Sequence, residues 1–314
     1  MYNRVLGFEM ALESAIAVKG CTEIIIVDDN STHAEFSEII ARYKDNRIKF
    51  YKNTNNLGLF GNWNQCIKYA SSDFVSILCS DDLVDNKIYD LFLEAYQDNE
   101  AIDVFFGSFA TFKHNIADAR LNLLYPKGPM SSFSLLENAL KNGLGFPVLS
   151  VMRRKVMLTL PFVAEPHSGN DWLWIYSNAT ALNLYATDQP INYWRRHDEQ
   201  DAIKNQNITR NCWPLLFINI SNQLKSHNAS LSKKALHMGK GVILTLLLNE
   251  RNGERFLLNA LTNDENHDIF LDAMHELIEK DWLLRIIIKT KGKYNFTYNC
   301  GRLLRKLMVY PSNF

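Results

Sequence analysis

FVSILCSDDLVD, residues 74–85, joins an apolar run to two adjacent carboxylates, Asp81 and Asp82. A short apolar run with β-branched residues predicts a buried strand, and Ser80, Asp81 and Asp82 then follow its carboxyl end. Two interpretations of this ending stay open. Ser and Asp are favoured helix N-caps, because their oxygens accept bonds from free backbone N–H groups. Adjacent carboxylates also suit a divalent cation that is bound to diphosphate.

The segments around this stretch alternate between strand and helix patterns. This alternation predicts an α/β fold with a mostly parallel sheet and helices on both faces. In such sheets ligands bind beyond the carboxyl ends of the strands, where the pairs Asp28-Asp29 and Asp81-Asp82 both lie. The predicted strands are 23–29, 47–52, 73–80 and 102–112, and the predicted helices are 5–19, 33–45, 62–72 and 86–99.

The pattern becomes mainly helical after about residue 205. We therefore predict a catalytic domain over 1–204 and a helical C-terminal region over 205–314. The helical segments predicted there are 211–224, 231–249, 252–261, 266–289 and 299–308.

Composition and charge exclude several classes of protein. The 34 Lys and Arg residues balance 34 Asp and Glu residues, so the net charge does not call for a nucleic-acid partner. The five cysteines are scattered and form no C-x-x-C pair, which argues against a zinc site or a disulfide framework. No segment reaches the ~20 apolar residues that span a bilayer. We expect a soluble, cytoplasmic protein.

Four short motifs, taken in order, resemble family 2 glycosyltransferases. They are YNR at 2–4, EIIIVDDNS at 23–31, N-L-G at 56–58 followed by Asn64, and ILCSDD at 77–82. The resemblance covers about residues 2–200 and is greatest to bacterial enzymes that build surface polysaccharides. It implies a GT-A (Rossmann-like) fold, a nucleotide-diphosphate sugar donor and a divalent cation, Mn²⁺ or Mg²⁺.

The resemblance also implies a role for each matching residue. Tyr2 would stack on the nucleobase, and Asp29 would bond the base, usually uracil or thymine, which makes UDP or dTDP donors the expected ones. Asp81 would hold the ribose, and Asp82 would coordinate the cation between the two phosphates. For Asp28-Asp29 the alternative is an Asx-type turn. Three further residues would shape the nucleotide pocket: Asn56, Gly58 and Asn64.

The segment HSGNDWLWIYSNAT, 167–180, contains the expected general base. Inverting transfer needs a group that takes a proton from the acceptor hydroxyl, which contributes about 10²–10⁴-fold. Asp171 matches the family's acid at the start of a helix, although many members carry Glu where this chain has Asn170. A helix N-cap is the alternative role for Asp171.

The segment INYWRRHDEQ, 191–200, resembles the family's Y-R-x-H motif. The resemblance implies that Arg195 neutralises diphosphate, with Arg196 as an alternative, and that His197 is a third metal ligand. A histidine beside arginines is otherwise a surface group.

The segment 280–306 is strongly basic, with eight Lys and Arg residues against Asp281 alone. Apolar residues interleave with these charges, and the first interpretation is an ordinary packed helix with a basic solvated side. The alternative is peripheral contact with an anionic membrane at its inner face.

The sequence thus predicts a metal-dependent, inverting glycosyltransferase that acts on a saccharide or lipid-linked acceptor in surface-polysaccharide synthesis. Acceptor contacts are expected in the loops around 114–146. Family members open with a buried strand that leads into T-Y-N, whereas Met1 stands at that point here. Absence of that strand would expose strand edges and remove part of the base pocket. We expect a misassigned start, because the later motifs are intact, and the alternative is an inactive nucleotide-binding remnant. A sugar nucleotidyltransferase is disfavoured, because it would need an N-terminal Gly-rich loop with a basic residue.

Overall fold

The computed structural model describes residues 1–33, 36–122, 125–142, 149–163, 169–197 and 213–248. The chain divides into two compact units. The first contains 1–132, 145–164 and 181–200, and the second contains 133–144, 165–180 and 201–314. The boundary predicted at 204/205, the three helices predicted beyond 250 and the basic segment 280–306 lie outside the described residues.

The predicted helices within the described residues agree in type with the structure, although most are shorter. The helices of the first unit are α1 (Phe8–Ile16), α2 (Phe36–Ile40), α3 (Gly58–Tyr69), α4 (Ile88–Asp98) and α6 (Arg154–Thr159). Those of the second unit are α5 (Ser132–Asn142), α7 (Asn170–Asn178), α8 (Trp213–Leu224) and α9 (Ala229–Leu248). Helix α3 begins one turn earlier than predicted. The helices Ser132–Asn142 and Arg154–Thr159 were not predicted, and the first lies in the region 114–146 that was expected to be loops. No helix in the described part of the chain has the length and apolar character needed to cross a membrane.

The strands form two sheets in the first unit. A two-stranded sheet pairs β1 (Ile24–Asp28) with β2 (Ile48–Lys52). The larger sheet has the order β3-β8-β5-β9-β4, with β6 beside β5 and β7 beside β9. Its strands are β3 (Phe74–Val75), β4 (Leu83–Val84), β5 (Val104–Phe112), β6 (Arg120–Asn122), β7 (Gly128–Met130), β8 (Val151–Arg153) and β9 (Leu184–Arg195).

The α/β class is confirmed, but the prediction of a mostly parallel sheet is wrong for the described strands. Among them, β1 with β2 and β5 with β9 are parallel, and the other pairs are antiparallel. Strand β5 is buried along almost its whole length, so its apolar run looks the same whatever the direction of its neighbours. Strands of two or three residues, such as β4 and β8, leave too short a pattern to read.

The strand predicted over 73–80 is also shorter in the structure, where only Phe74 and Val75 pair with β8. Ile77 is nevertheless buried, so the apolar run still packs into the interior before it reaches the acidic pair. On the edge of β1 opposite β2, Met1 makes a single parallel rung. Its ammonium donates to the Val27 carbonyl at 2.7 Å, and its carbonyl accepts the Asp29 N–H at 2.7 Å.

Two apolar clusters fix the elements that carry the site. Helices α1 and α2 pack on β1 through Phe8, Leu12, Ile26 and Phe36, and the rings of Phe8 and Phe36 meet edge to face at 5.2 Å. A second cluster packs α4 on the larger sheet. These contacts hold the ends of β1 and of the run after β3 in fixed positions.

Candidate functional site

Asp28 and Asp29 follow the same strand but serve different purposes. Asp28 Oδ1 accepts the Ser31 N–H at 3.0 Å, and Lys52 Nζ lies 3.5 Å from Asp28 Oδ2. Asp28 therefore stabilises the turn after β1, as the Asx-turn alternative predicts. Asp29 instead enters a buried polar network with Asn53, which directly follows β2, and Asn62 of α3.

The network around Asp29 consists of buried amides. Asn53 Nδ2 and the Leu57 N–H both donate to Asp29 Oδ1 at 2.8 Å, and Asn53 Nδ2 also lies 3.0 Å from Asn62 Oδ1. Both hydrogen bonds described for this carboxylate go to Oδ1. Three buried polar side chains that bond one another are costly to place in a core unless they are fully satisfied, so this network fixes the orientation of Asp29.

Asn56 and Gly58 form the start of α3. Asn56 Oδ1 accepts the Gly58 N–H at 2.9 Å, and Gly58 has a φ of 73°, which favours glycine. The two residues thus shape the loop that delivers the Leu57 N–H to Asp29. This placement suits their predicted part in forming a pocket.

Asn64 faces elsewhere. Its Nδ2 donates to the Phe162 carbonyl at 2.8 Å, and its Oδ1 accepts the Phe162 N–H at 3.0 Å. These bonds use both ends of the amide, so the geometry favours a structural role over the predicted pocket contact. Two residues correspond to about 200° around a helix, which explains why Asn62 faces Asp29 while Asn64 does not.

The acidic pair at 81–82 forms a turn between the apolar run and β4. Asp82 N–H donates to the Cys79 carbonyl at 3.2 Å, and Asp82 Oδ1 accepts the Arg195 N–H at 2.9 Å. The N-cap alternative does not hold here, because the next helix, α4, begins at Ile88. Burial and then the neighbouring charge of Asp81 raise the pKa of Asp82 to about 8, against the opposing effect of the Arg195 N–H.

Asp81 is the centre of a charged cluster. Arg4 Nη1 and His197 Nε2 both lie 3.0 Å from Asp81 Oδ2. Arg195 reaches the same residue through its main chain, because Arg195 Nε donates to the Asp81 carbonyl at 3.0 Å. The structure therefore brings Asp81, Asp82, Arg195 and His197 together, as the sequence motifs suggested.

The Arg195 side chain already makes several contacts within the protein. Its guanidinium stacks over the Phe112 ring at 4.9 Å, its Nη2 lies 3.0 Å from Met10 Sδ, and the residue is only 9% exposed. These contacts favour a structural role over the predicted neutralisation of diphosphate.

The N-terminal segment lies against both acidic loops. Asn3 N–H donates to Ser31 Oγ at 2.9 Å, and Asn3 Oδ1 accepts the N–H groups of Thr32 and His33. Tyr2 is 50% exposed, so its ring is accessible to a base. Arg4 and Asn3 were not assigned roles from the sequence, although their position directly after Tyr2 was a usable signal.

Asp171 belongs to the second unit, in the first turn of α7. Gly169 is the N-cap residue, so Asp171 is not the cap that the alternative interpretation required. Burial raises the pKa of Asp171 to about 6, although backbone N–H groups of its own turn oppose the shift. A carboxyl with this pKa is well suited to accept a proton near neutral pH.

The donor set at 81–82 fits a divalent cation in part. Among the described residues, no group of three His, Cys, Asp or Glu side chains is placed to hold a metal ion. Mg²⁺ commonly takes only one or two protein carboxylates together with substrate phosphates and water, however. The partly buried Asp82 carboxylate suits that arrangement, whereas His197 directs Nε2 to Asp81 and its Nδ1 is buried with no partner among the described residues.

Comparison with known proteins gives a consistent result. The family model "Glycosyl transferase family 2" matches residues 1–158. No curated protein matches the chain. The solved structure of S. aureus TarS 1-349 is similar with a TM-score of 0.61 and 15% identity, over 99% of this chain and 90% of that one.

Two ligand complexes of the same protein are also similar. TarS 1-349 in complex with UDP-GlcNAc has a TM-score of 0.65 and 14% identity, covering 99% of this chain and 91% of that one. TarS 1-349 in complex with UDP has a TM-score of 0.55 and 13% identity, covering 96% and 84%. At such identities the likeness establishes a shared fold, and the GT-A-like architecture is confirmed.

Proposed function

The chain belongs to glycosyl transferase family 2, and from that premise we propose that it is a metal-dependent, inverting glycosyltransferase with a UDP- or dTDP-sugar donor. The acceptor is a saccharide or a lipid-linked saccharide in surface-polysaccharide synthesis. The matched region 1–158 includes both acidic loops, at Asp29 and at Asp81-Asp82. The observation that carries the proposal is the buried network that fixes the Asp29 carboxylate at the end of β1.

The nucleoside binds along the first unit in this proposal. Asp29 accepts the N3–H of uracil or thymine, and the exposed ring of Tyr2 covers the base. Asp81 takes a ribose hydroxyl. These roles support pyrimidine diphosphate donors, because the imide N–H that Asp29 would accept is present in uracil and thymine.

Asp82 would hold the divalent cation, which supplies positive charge to the diphosphate as the bond to the sugar breaks. A cation beside Asp82 also offsets the burial that raises the pKa of this carboxyl. Asp171 removes the proton from the acceptor hydroxyl, and its raised pKa keeps it basic enough for that step.

Release of nucleoside diphosphate tests the proposed function. The protein is incubated with Mn²⁺ and one donor at a time from a panel of UDP-, dTDP-, GDP- and ADP-sugars, with mixed oligosaccharide acceptors. We expect UDP or dTDP to be released and sugar to be transferred, with Asp171→Asn reducing the rate at least a hundredfold. Transfer only from GDP- or ADP-sugars, or from none of the panel, contradicts the proposal.

A further inference from the structure

The charged cluster at Asp81 contains a guanidinium that the sequence motifs leave without a role. Arg4 Nη1 and His197 Nε2 converge on one oxygen, Asp81 Oδ2, each at 3.0 Å. The Arg4 side chain is 25% exposed, against 15% for Asp81 and 14% for His197. Arg4 is therefore the most accessible of these three groups to a molecule that approaches the acidic turn.

The other arginine of the cluster makes structural contacts through its guanidinium. Arg195 stacks on Phe112, and its Nε donates to the Asp81 main-chain carbonyl. Moving its guanidinium to a ligand would leave that carbonyl without its bond and break the ring contact, which is costly for buried groups. The ion pair between Arg4 and Asp81 is partly exposed, and pairs of this kind contribute little net stability.

The backbone of Arg4 is fixed on both sides. Asn3 is bonded to Ser31 and Thr32 in the loop after β1, the loop that also contains Asp29. On the other side, a Cβ added to Gly7 would lie 3.0 Å from the Asp81 Cα, so this part of the chain packs directly on the acidic turn. Arg4 therefore has a fixed backbone position between the two acidic loops, and its long side chain reaches the acidic turn.

We infer that Arg4 binds the diphosphate of the donor, exchanging the Asp81 carboxylate for phosphate oxygens. The inference rests on the proposed function. A planar guanidinium matches two oxygens of a phosphate and forms charge-assisted bonds with them. Asp81 keeps a partner after the exchange, because His197 Nε2 remains on the same oxygen. Arg4 thus takes the role that the motif resemblance gave to Arg195.

Calorimetric titration with UDP and with uridine, both in Mn²⁺, separates contact with the diphosphate from support of the ribose site. We expect Arg4→Gln to weaken the affinity for UDP roughly ten- to a hundredfold, as for loss of a charge-assisted bond. The affinity for uridine should change by no more than about twofold. Arg4→Lys keeps the charge and should recover part of the loss. Arg42→Gln is the matched control, because Arg42 is an exposed arginine that pairs with Glu9 on α1.

The outcomes are distinguishable. If Arg4→Gln weakens the binding of UDP and of uridine equally, Arg4 only positions Asp81. That result overturns the inference while the proposed function stands. Unchanged UDP affinity overturns it as well. If the unaltered protein binds neither ligand, the proposed function fails and the inference fails with it. A thermal melt of each variant confirms that the fold is intact.

Discussion

At the scale of single residues, adjacent acids in one motif have different roles, and their hydrogen-bond partners decide which. Asp28 stabilises its turn while Asp29 is fixed by amides. Asp82 accepts the N–H of Arg195, while Asp81 contacts the side chains of Arg4 and His197. The sequence identified both pairs, because each follows a predicted strand at the end where sheets of this class bind ligands. The pattern contained no signal for Asn53 and Asn62, since amides after a strand and on a helix are ordinary in turns and on surfaces.

The two asparagines of α3 give a matched test of this geometry. Asn62→Ala removes a member of the Asp29 network and should weaken the affinity for UDP several-fold. Asn64→Ala should leave UDP affinity unchanged and lower the free energy of unfolding by about 1–3 kcal/mol, because the Phe162 backbone loses two bonds. Titration and denaturant unfolding measure the two effects. The reverse result, with UDP affinity sensitive to Asn64, would restore the original prediction for that residue.

The rate of sugar transfer should depend on pH through Asp171. Burial raises the pKa of its carboxyl to about 6, so the basic form dominates above that value and kcat should rise between about pH 5 and 7. The Asp171→Asn variant should lose at least a hundredfold in kcat with little change in donor KM.

Stability provides the control for that variant. A carboxyl whose pKa is raised on folding stabilises the folded state fully below its ordinary pKa. This contribution to stability is lost as the pH rises through about 6. Asp171→Asn removes the cost of a buried charge at pH 8, so its melting temperature should equal or exceed that of the unaltered protein. Asp188→Asn, at an exposed position of β9, should change neither kcat nor the melting temperature. A kcat that does not depend on pH between 5 and 7 would argue against Asp171 as the base.

At the scale of elements, the site depends on how α1 begins. Gly7 has a φ of 88°, and a Cβ there would press on the Asp81 backbone at 3.0 Å. Gly7→Ala should therefore destabilise the protein by about 1–3 kcal/mol and also weaken UDP binding, because Asp81 and Arg4 are displaced. Denaturant unfolding and titration test this together. An unchanged unfolding midpoint would show that the turn relaxes without strain.

Helix periodicity was the more reliable sequence signal for elements. The patterns at 5–19, 86–99 and 211–224 all correspond to helices, since apolar residues at helical spacing are read along one segment. Strand direction cannot be read in this way, because pairing joins residues far apart in the chain. Strand β5 illustrates this, with β9 parallel on one side and β8 antiparallel on the other.

At the scale of the whole molecule, the family and the α/β class followed from motif order, whereas the pairing of strands did not. Ligand binding to the folded state should stabilise it by mass action. With Mn²⁺ present, UDP at 100 times its Kd should add about 2.7 kcal/mol to the free energy of unfolding. This should raise the melting temperature by roughly 5 °C, and Asp82→Ala should abolish the shift. An equal shift in that variant would place the ligand elsewhere.

The most direct test of the central claim is calorimetric titration of UDP with and without Mn²⁺, on the unaltered protein and on Asp82→Ala. The account predicts binding that requires Mn²⁺ and is lost in the variant, because the Asp82 carboxylate would hold the cation beside the diphosphate. Binding of equal affinity in all four titrations would contradict a metal role for Asp82. Binding of UDP to neither protein, with or without Mn²⁺, would contradict the proposed nucleotide site itself.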